Sequence, residues 1–100
     1  MRIFFANYAG HDLLNLKDFE YDELINITEG SVNIFNIERL DYDISKSLLD
    51  NEFDPTTDCI ICSGNVIINY RIGVILGKSS MNPKVILYNS KRKIYQFLNQ

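Results

Sequence analysis

The stretch "DCIICSGNVIINYRIG", residues 58 to 73, decides the fold class of this chain. The run "CIIC" in its first part is short and apolar, which predicts a buried strand at 58 to 62. The small polar residues "SGN" at 63 to 65 end this run, and the apolar residues that follow predict a helix from about 65 to 77. A strand that turns directly into a helix leaves backbone N–H groups free at the helix N-terminus, which suits an anion. The same break also suits a plain chain reversal, so both interpretations stay open.

Strand and helix patterns alternate through the rest of the chain as well. Apolar positions recur at helical spacing from 37 to 50, with Asn36 in place to cap the helix N-terminus. The segment 32 to 35 is ambiguous between an extended stretch and a first helical turn. The other predicted elements, in chain order, are a strand at 2 to 8, a short helix at 12 to 19, a strand at 23 to 28 and a closing hairpin of strands at 83 to 88 and 93 to 98.

This alternation predicts a single α/β domain over residues 1 to 100. We expect a three-layer, Rossmann/flavodoxin-like, mainly parallel sheet with helices on both faces. The connection between the last two strands is too short for a parallel crossover, which needs a dozen residues or more. The C-terminal hairpin is therefore expected to add an antiparallel edge to the sheet.

Length and composition exclude several classes of protein. The chain has 100 residues, 46% of them hydrophobic, which is enough for one modest core and argues against disorder. Its net charge of -3 argues against a general nucleic-acid binder. No apolar stretch reaches the roughly 20 residues of a membrane span, and the N-terminal segment lacks a secretory signal pattern. We therefore expect a cytoplasmic protein, located in the host cytosol if it is viral.

Cys59 and Cys62 have the spacing of a CxxC motif but lie in a predicted strand. Residues three apart on a strand point to opposite faces, so the two thiols are not expected to form a disulfide. A zinc site built from them would lack ligands, because His11 is the one histidine of the chain. We expect no metal and no resident cofactor, and we expect both cysteines to be buried structural thiols.

Candidate ligand-binding residues lie in three loops at the carboxyl ends of the predicted parallel strands. In an open α/β sheet such loops meet at a crevice where ligands bind. Each loop here combines a glycine with hydrogen-bonding side chains, as a small anionic, nucleotide-like ligand would need. Ordinary βα turns use the same residue types, and "GHD" and "SGN" lack the GxGxxG and P-loop patterns. The candidate residues are Asn7, Gly10, His11, Asp12, Thr28, Glu29, Ser63, Gly64 and Asn65.

His11 carries the one side chain whose ordinary pKa lies near neutrality. Beside Asp12 it is a candidate general acid or base. No nucleophile elbow, metal cluster or paired catalytic motif accompanies it. A nucleotide phosphodiester or phosphate hydrolase that uses His11 is therefore only a second alternative, and a non-catalytic protein is expected.

The predicted helix at 65 to 77 is apolar almost all round. A helix of this kind is covered on more than one side. One side faces the sheet, and in so short a chain a second copy of the protein most simply covers the other. We therefore expect a homodimer through this helix, which Ile72→Asp or Val74→Asp would weaken.

The segments "GHD", "ITEG" and "SGN", together with the C-terminal "ILYNSKRKIY", resemble small functionally unassigned proteins of phages and mobile elements. The resemblance implies a virus- or mobile-element-encoded protein and brings no known active site with it. The expected function is non-catalytic binding of a small anionic ligand at the strand ends. The alternative is a protein–protein interaction module that inhibits or redirects a host protein.

Overall fold

A computed structural model describes residues 1–7, 16 and 19–98 of the chain. Within these residues the chain forms one mixed sheet of five strands and two helices. The strands and helices that the sequence predicts within this part are confirmed, and 32 to 35 forms neither strand nor helix. In chain order the elements are β1 (Arg2–Asn7), β2 (Glu23–Thr28), α1 (Ile37–Asp50), β3 (Cys59–Ile61), α2 (Val66–Lys78), β4 (Lys84–Asn89) and β5 (Ile94–Phe97).

The strand order in the sheet is β2-β1-β3-β4-β5. β1 pairs in parallel with β2 on one side and with β3 on the other, and β3 pairs in parallel with β4. β4 and β5 pair antiparallel, so the prediction of a mainly parallel sheet with an antiparallel C-terminal edge is confirmed. The order of the strands reverses between β1 and β3, and the carboxyl ends of these two strands are therefore the place to look for a ligand crevice.

Both described helices pack against the same face of the sheet. Every fourth residue of each helix is buried there, in one core cluster with Phe4 and Ile60 of the strands. Because Ile72 belongs to this cluster, the expectation that Ile72→Asp acts on association is wrong: the substitution acts on the fold. The buried helix residues are Leu40, Ile44 and Leu48 of α1 and Ile68, Ile72 and Leu76 of α2.

A second core cluster covers the opposite face of the sheet. It joins Ile3 and Phe5 of β1 to Ile61 of β3, and Leu16 and Phe19 from the β1–β2 connection pack on them. A helix at 12 to 19 is predicted on this face as the third layer. Most of that segment lies outside the described residues, so the helix and the third layer stay predictions.

The two cysteines are free thiols, as expected, although only Cys59 lies in the strand. Cys59 is buried in β3, where burial raises the pKa of its thiol. Cys62 is exposed, which corrects the expectation that both thiols are buried. The reason is that β3 ends at Ile61, so Cys62 already belongs to the turn that follows.

Candidate functional site

Asn7 and Thr28 form a buried polar pair at the carboxyl ends of β1 and β2. Asn7 Nδ2 donates to Thr28 Oγ1 at 2.8 Å and to the Gly30 carbonyl at 3.3 Å. The Thr28 hydroxyl in turn donates to the Ala6 carbonyl at 2.8 Å. The donors of both side chains are therefore bonded within the protein, and the pair ties the two strand ends together.

The turn after β3 closes directly onto Asn7. Ser63 Oγ donates to the Asn7 carbonyl at 2.9 Å and accepts from the Asn7 N–H at 3.4 Å. Gly64 has a φ of +72°, and a Cβ at this position would lie 3.1 Å from both the Cβ and the carbonyl oxygen of Asn7. Only glycine combines that backbone angle with so close an approach. "SGN" thus joins the ends of β1 and β3 through hydrogen bonds and a close backbone contact.

Asn65 caps the N-terminus of α2. Its Oδ1 accepts from the Ile67 N–H at 2.7 Å, which satisfies one of the backbone donors that an anion would use. One turn further, Asn69 Nδ2 donates to the carbonyls of Ser63 and Asn65 at 2.8 and 2.9 Å. The side chains of Asn65 and Asn69 therefore fix the turn between β3 and α2 by hydrogen bonds to its backbone.

The remaining predicted site residues are separate from this network or lie outside the described part. Glu29 is exposed after the end of β2. Gly10, His11 and Asp12 lie outside the described residues, so their roles stay predictions. Of the predicted set, the structure brings Asn7, Thr28, Ser63, Gly64 and Asn65 together in one hydrogen-bonded and packed group.

A pocket of about 330 Å³ lies beside this group, between the end of β2 and the N-terminal part of α1. Thr28 and Glu29 line it, together with Asn36 and Arg39. Asn36 Oδ1 caps α1 by accepting from the Arg39 N–H at 3.1 Å, and the Arg39 guanidinium pairs with Asp43 at 3.0 Å. The pocket therefore holds two carboxylates, Glu29 and Asp43, and one cation, so its formal charge is negative.

The outer face of the two helices carries the most exposed apolar side chains of the described chain. Tyr42 and Leu49 lie seven residues apart on α1, on the side away from the buried stripe. Val66 and Tyr70 lie one turn apart on the corresponding side of α2. We call these four residues and Phe35, at the N-terminal end of α1, the outer helix surface. Their exposed fractions are 92% for Phe35, 76% for Leu49, 74% for Val66, 63% for Tyr70 and 60% for Tyr42.

Sequence reasoning singles out α2 as an exposed apolar helix and misses the α1 half of this surface. The available signal is the seven-residue spacing of Phe35, Tyr42 and Leu49, which keeps side chains on one helix face. The amphipathic pattern of α1 obscures it, because charged residues lie between these positions.

Six of the eight charged residues of the two helices form ion pairs with one another. Arg39 pairs with Asp43, and Lys46 pairs with Asp50, along α1. Arg71 of α2 donates from Nε and Nη2 to the Asp41 carboxylate of α1 at 2.9 and 2.7 Å. Together α1 and α2 hold four acidic and four basic residues, so the helix layer is electrically neutral although the chain carries -3.

The Asp41–Arg71 pair makes the stability of the helix layer depend on pH. Hydrogen bonds from Arg71 hold the pKa of Asp41 below its ordinary value, against the opposing effect of burial. Stability from this pair is thus fully present above the unfolded pKa of about 3.9 and is lost as the pH falls through the lowered folded pKa. We expect Asp41→Asn to lose less free energy of unfolding than the wild type over that acid range, as measured by urea unfolding at each pH. Parallel curves for the two proteins would contradict this.

A groove with a volume of about 440 Å³ lies at the C-terminal ends of α1 and α2. Leu48, Leu49, Ile75 and Met81 give it a mainly apolar lining, and Ser79 stands at its rim. Leu49 belongs both to this groove and to the outer helix surface. The surface and the groove are therefore continuous.

The described residues contain no group of three or more His, Cys, Asp or Glu side chains that could hold a metal ion. None of the helices in that part of the chain is long and apolar enough to cross a membrane.

Comparison of the chain with protein-family models, with curated proteins and with solved structures finds no match. The argument for function therefore depends on the geometry of these surfaces.

Proposed function

We propose that this protein acts by binding another protein through its outer helix surface. One observation carries the proposal: the five most exposed large hydrophobic side chains of the described chain lie on the outward sides of α1 and α2 or directly before α1. Exposed apolar groups are ordinary when they are scattered, but a contiguous patch is typical of an interaction site. Aromatic side chains, three of the five here, are also the residues that most often dominate the binding energy of an interface.

The electrical neutrality of the helix layer supports a protein partner over a nucleic acid. A nucleic-acid site needs a concentration of Lys and Arg on one face. Here Arg39, Lys46 and Arg71 are each paired with a carboxylate of the same chain. A neutral apolar surface instead fits an apolar protein surface.

A photoreactive amino acid in place of Tyr70 tests this function directly. Tyr70 is exposed on α2 and contributes little to the core, so the variant is expected to fold. Irradiation of cells that produce it should give a protein adduct of defined mass, and Tyr42→Glu in the same chain should remove that adduct. The matched control carries the photoreactive group at Leu98, which is exposed beyond the end of β5. Absence of any adduct at position 70, or equal adducts at 70 and 98, would sink the proposal.

Binding of a small anionic, nucleotide-like ligand is the second candidate function. The observation in its favour is that the pocket of about 330 Å³ places predicted site residues Thr28 and Glu29 beside the N-terminus of α1 and the Arg39 guanidinium, whereas the carboxylates of Glu29 and Asp43 in the same pocket oppose an anion. Calorimetric titration with nucleotides and with inorganic phosphate tests this candidate. An absence of heat for every compound, from protein that is folded, would exclude it.

The fold family, catalysis by His11, the biological origin and the cellular location stay predictions. The strand order β2-β1-β3-β4-β5 supports a Rossmann/flavodoxin-like fold, since doubly wound sheets of that class use this order. Hydrolysis by His11, an origin in a virus or mobile element, and a cytoplasmic location are proposals that rest on the sequence alone.

A further inference from the structure

The charged residues are distributed unevenly along the chain. All 13 acidic residues lie before residue 59, whereas six of the ten basic residues lie after it. The net charge of -3 is therefore the sum of a strongly acidic part and a part without any acidic side chain. Because β2 belongs to the first part and β4 and β5 belong to the second, the two edges of the sheet differ in charge.

Four basic residues lie on the hairpin of β4 and β5, residues 84 to 97, which we call the basic hairpin. Lys84 begins β4, and Lys91, Arg92 and Lys93 belong to the turn between the two strands. All four side chains are exposed. Within the described part of the chain none of them forms an ion pair, in contrast to three of the four basic residues of the helices. The basic hairpin therefore carries positive charge that no described carboxylate compensates.

Asn89 holds the turn of the basic hairpin in one conformation. Its Oδ1 accepts from the N–H groups of Lys91 and Arg92 at 3.1 and 3.2 Å, and its Nδ2 donates to Gln96 Oε1 at 3.1 Å. Lys93 has a φ of +57°, a conformation in which glycine is less strained than any other residue. The chain thus keeps a cation where glycine would suit the backbone better, and strain of this kind is often associated with function.

Two exposed aromatic rings lie on one face of the basic hairpin. Tyr88 is opposite Tyr95 and Phe97 is opposite Ile86 in the antiparallel ladder. Ile86 and Tyr95 belong to the second core cluster, so this face is the one that α1 and α2 do not cover. Tyr88 is 45% exposed, and its ring packs edge to face on Tyr95 with the centroids 5.1 Å apart. Phe97 is 38% exposed, and Lys84 Nζ lies 5.7 Å from the centroid of its ring.

Tyr88 is the better placed of the two rings to stack on a planar ligand. Phe97 already contacts Phe19, with 5.3 Å between the ring centroids. Tyr88 lies one residue before the end of β4, next to the turn and its three cations. A ring beside a group of cations offers stacking for a base and positive charge for the adjoining phosphates.

From this arrangement we propose that the basic hairpin binds single-stranded nucleic acid. Tyr88 stacks on a base, and Lys84 and the cations of the turn contact phosphates. The site goes beyond the proposed function, because it lies on the other face of the sheet from the outer helix surface and does not depend on it. It also differs from the sequence expectation, which took the net charge of the whole chain and so averaged the two parts.

The combination of cations and an exposed ring favours a single strand over other anionic partners. The carboxylates of an acidic protein would use the cations but not the ring, and the bases of a duplex are stacked and paired, so their faces are not accessible. The five residue steps from Lys84 to Asn89 span about 17 Å, which corresponds to about five nucleotides at about 3.4 Å per phosphate.

The acidic edge of the sheet is distant from the proposed site. β2 lies four strand spacings from β5, or about 19 Å. This distance is more than twice the Debye length of about 8 Å at physiological ionic strength. Repulsion between the carboxylates of β2 and a bound phosphate is therefore largely screened.

Fluorescence anisotropy of a labelled oligothymidine of about 12 nucleotides, a length within the usual range of single-strand sites, tests the proposal. Each phosphate contact contributes about 0.7 to the salt slope of single-strand binding, so four contacts predict an affinity about 50-fold lower at about 200 mM than at about 50 mM salt. A labelled oligouridine of the same length tells RNA from DNA, and binding of either supports the proposal.

Variants of the basic hairpin separate charge from stacking. Lys91→Gln with Arg92→Gln should reduce the salt slope by about 1.4. The matched control, Arg39→Gln with Lys46→Gln on α1, removes the same charge and should leave the slope unchanged. Tyr88→Ala should weaken binding by about 5-fold or more at the same slope, because it removes base stacking, and Tyr88→Phe should retain binding. Circular dichroism checks that each variant is folded.

Lys93→Gly distinguishes a role in binding from a role in folding. Glycine relieves the strain of the positive φ, so this variant should unfold at a higher urea concentration than the wild type. It should nevertheless bind oligothymidine more weakly, because a phosphate contact is lost. A purely structural role of this residue would give no loss of affinity.

Three results would overturn the proposal. The first is no change in anisotropy for either oligonucleotide with folded wild-type protein. The second is an equal loss of binding in the hairpin double variant and in its α1 control. The third is competition by polyglutamate or by duplex DNA as strong as that by unlabelled oligothymidine, together with full binding by Tyr88→Ala, which would make the hairpin a site for polyanions in general.

Discussion

Ile72→Asp is expected to destabilise the folded state severely. Ile72 is 3% exposed and lies in the core cluster between the helices and the sheet. The substitution removes an apolar side chain whose burial is worth about 2 to 3 kcal/mol and places a carboxylate in the same site. The buried carboxylate has no partner there, so it costs several kcal/mol more. Part of this cost remains when the group takes up a proton and becomes neutral. We therefore expect a loss of more than about 4 kcal/mol, against a total stability of about 5 to 15 kcal/mol for an ordinary domain.

Urea unfolding followed by circular dichroism measures this loss, with Tyr70→Asp as the matched control. Tyr70 lies on the same helix, so both variants carry the same low helix propensity of aspartate, but it is 63% exposed. Tyr70→Asp should change the free energy of unfolding by less than about 1 kcal/mol. Equal losses for the two variants would mean that the assignment of the inward face of α2 is wrong.

Gly64→Val is expected to destabilise the protein by about 2 to 5 kcal/mol. Two separate costs contribute to this range. Gly64 has a φ of +72°, which is strained for a β-branched residue. A Cβ at this position would also lie 3.1 Å from the Cβ and the carbonyl oxygen of Asn7, so the turn would have to move away from β1. That movement would break the two hydrogen bonds between Ser63 and Asn7.

Gly30→Val separates the two costs. Gly30 has a φ of +65°, close to that of Gly64, but an added Cβ there meets no atom within 4 Å. Gly30→Val should therefore pay only for backbone strain, about 1 to 3 kcal/mol, and the difference between the variants should report the contact with Asn7. Thermal or urea unfolding of both variants measures it. If Gly64→Val costs no more than Gly30→Val, then the close approach of the turn to Asn7 is not a constraint on the fold.

The helices and strands follow from local features of the sequence. Residues 37 to 50 carry apolar side chains at helical spacing, and the structure has α1 over Ile37–Asp50 with Asn36 as its cap. Asn65 caps α2 in the same way. Each of these features acts within about one helical turn, so no knowledge of distant residues is needed to predict it. The antiparallel hairpin is local in the same sense, because a short connection leaves no room for a crossover.

The sequence by itself therefore determined the α/β class, the boundaries of the described elements to within a residue or two, and the caps Asn36 and Asn65. Only the tertiary structure decided which residues of those elements meet and which side chains stay exposed. Ser63 and Asn7 are 56 residues apart in the chain, and whether "SGN" holds an anion or closes on β1 depends on where the sheet places them. The outward face of α2 likewise depends on which of its apolar residues the sheet and α1 already cover. The exposure of Phe35, Tyr42 and Leu49 depends on the same packing, because a hydrophobic residue is buried only if another element lies against it.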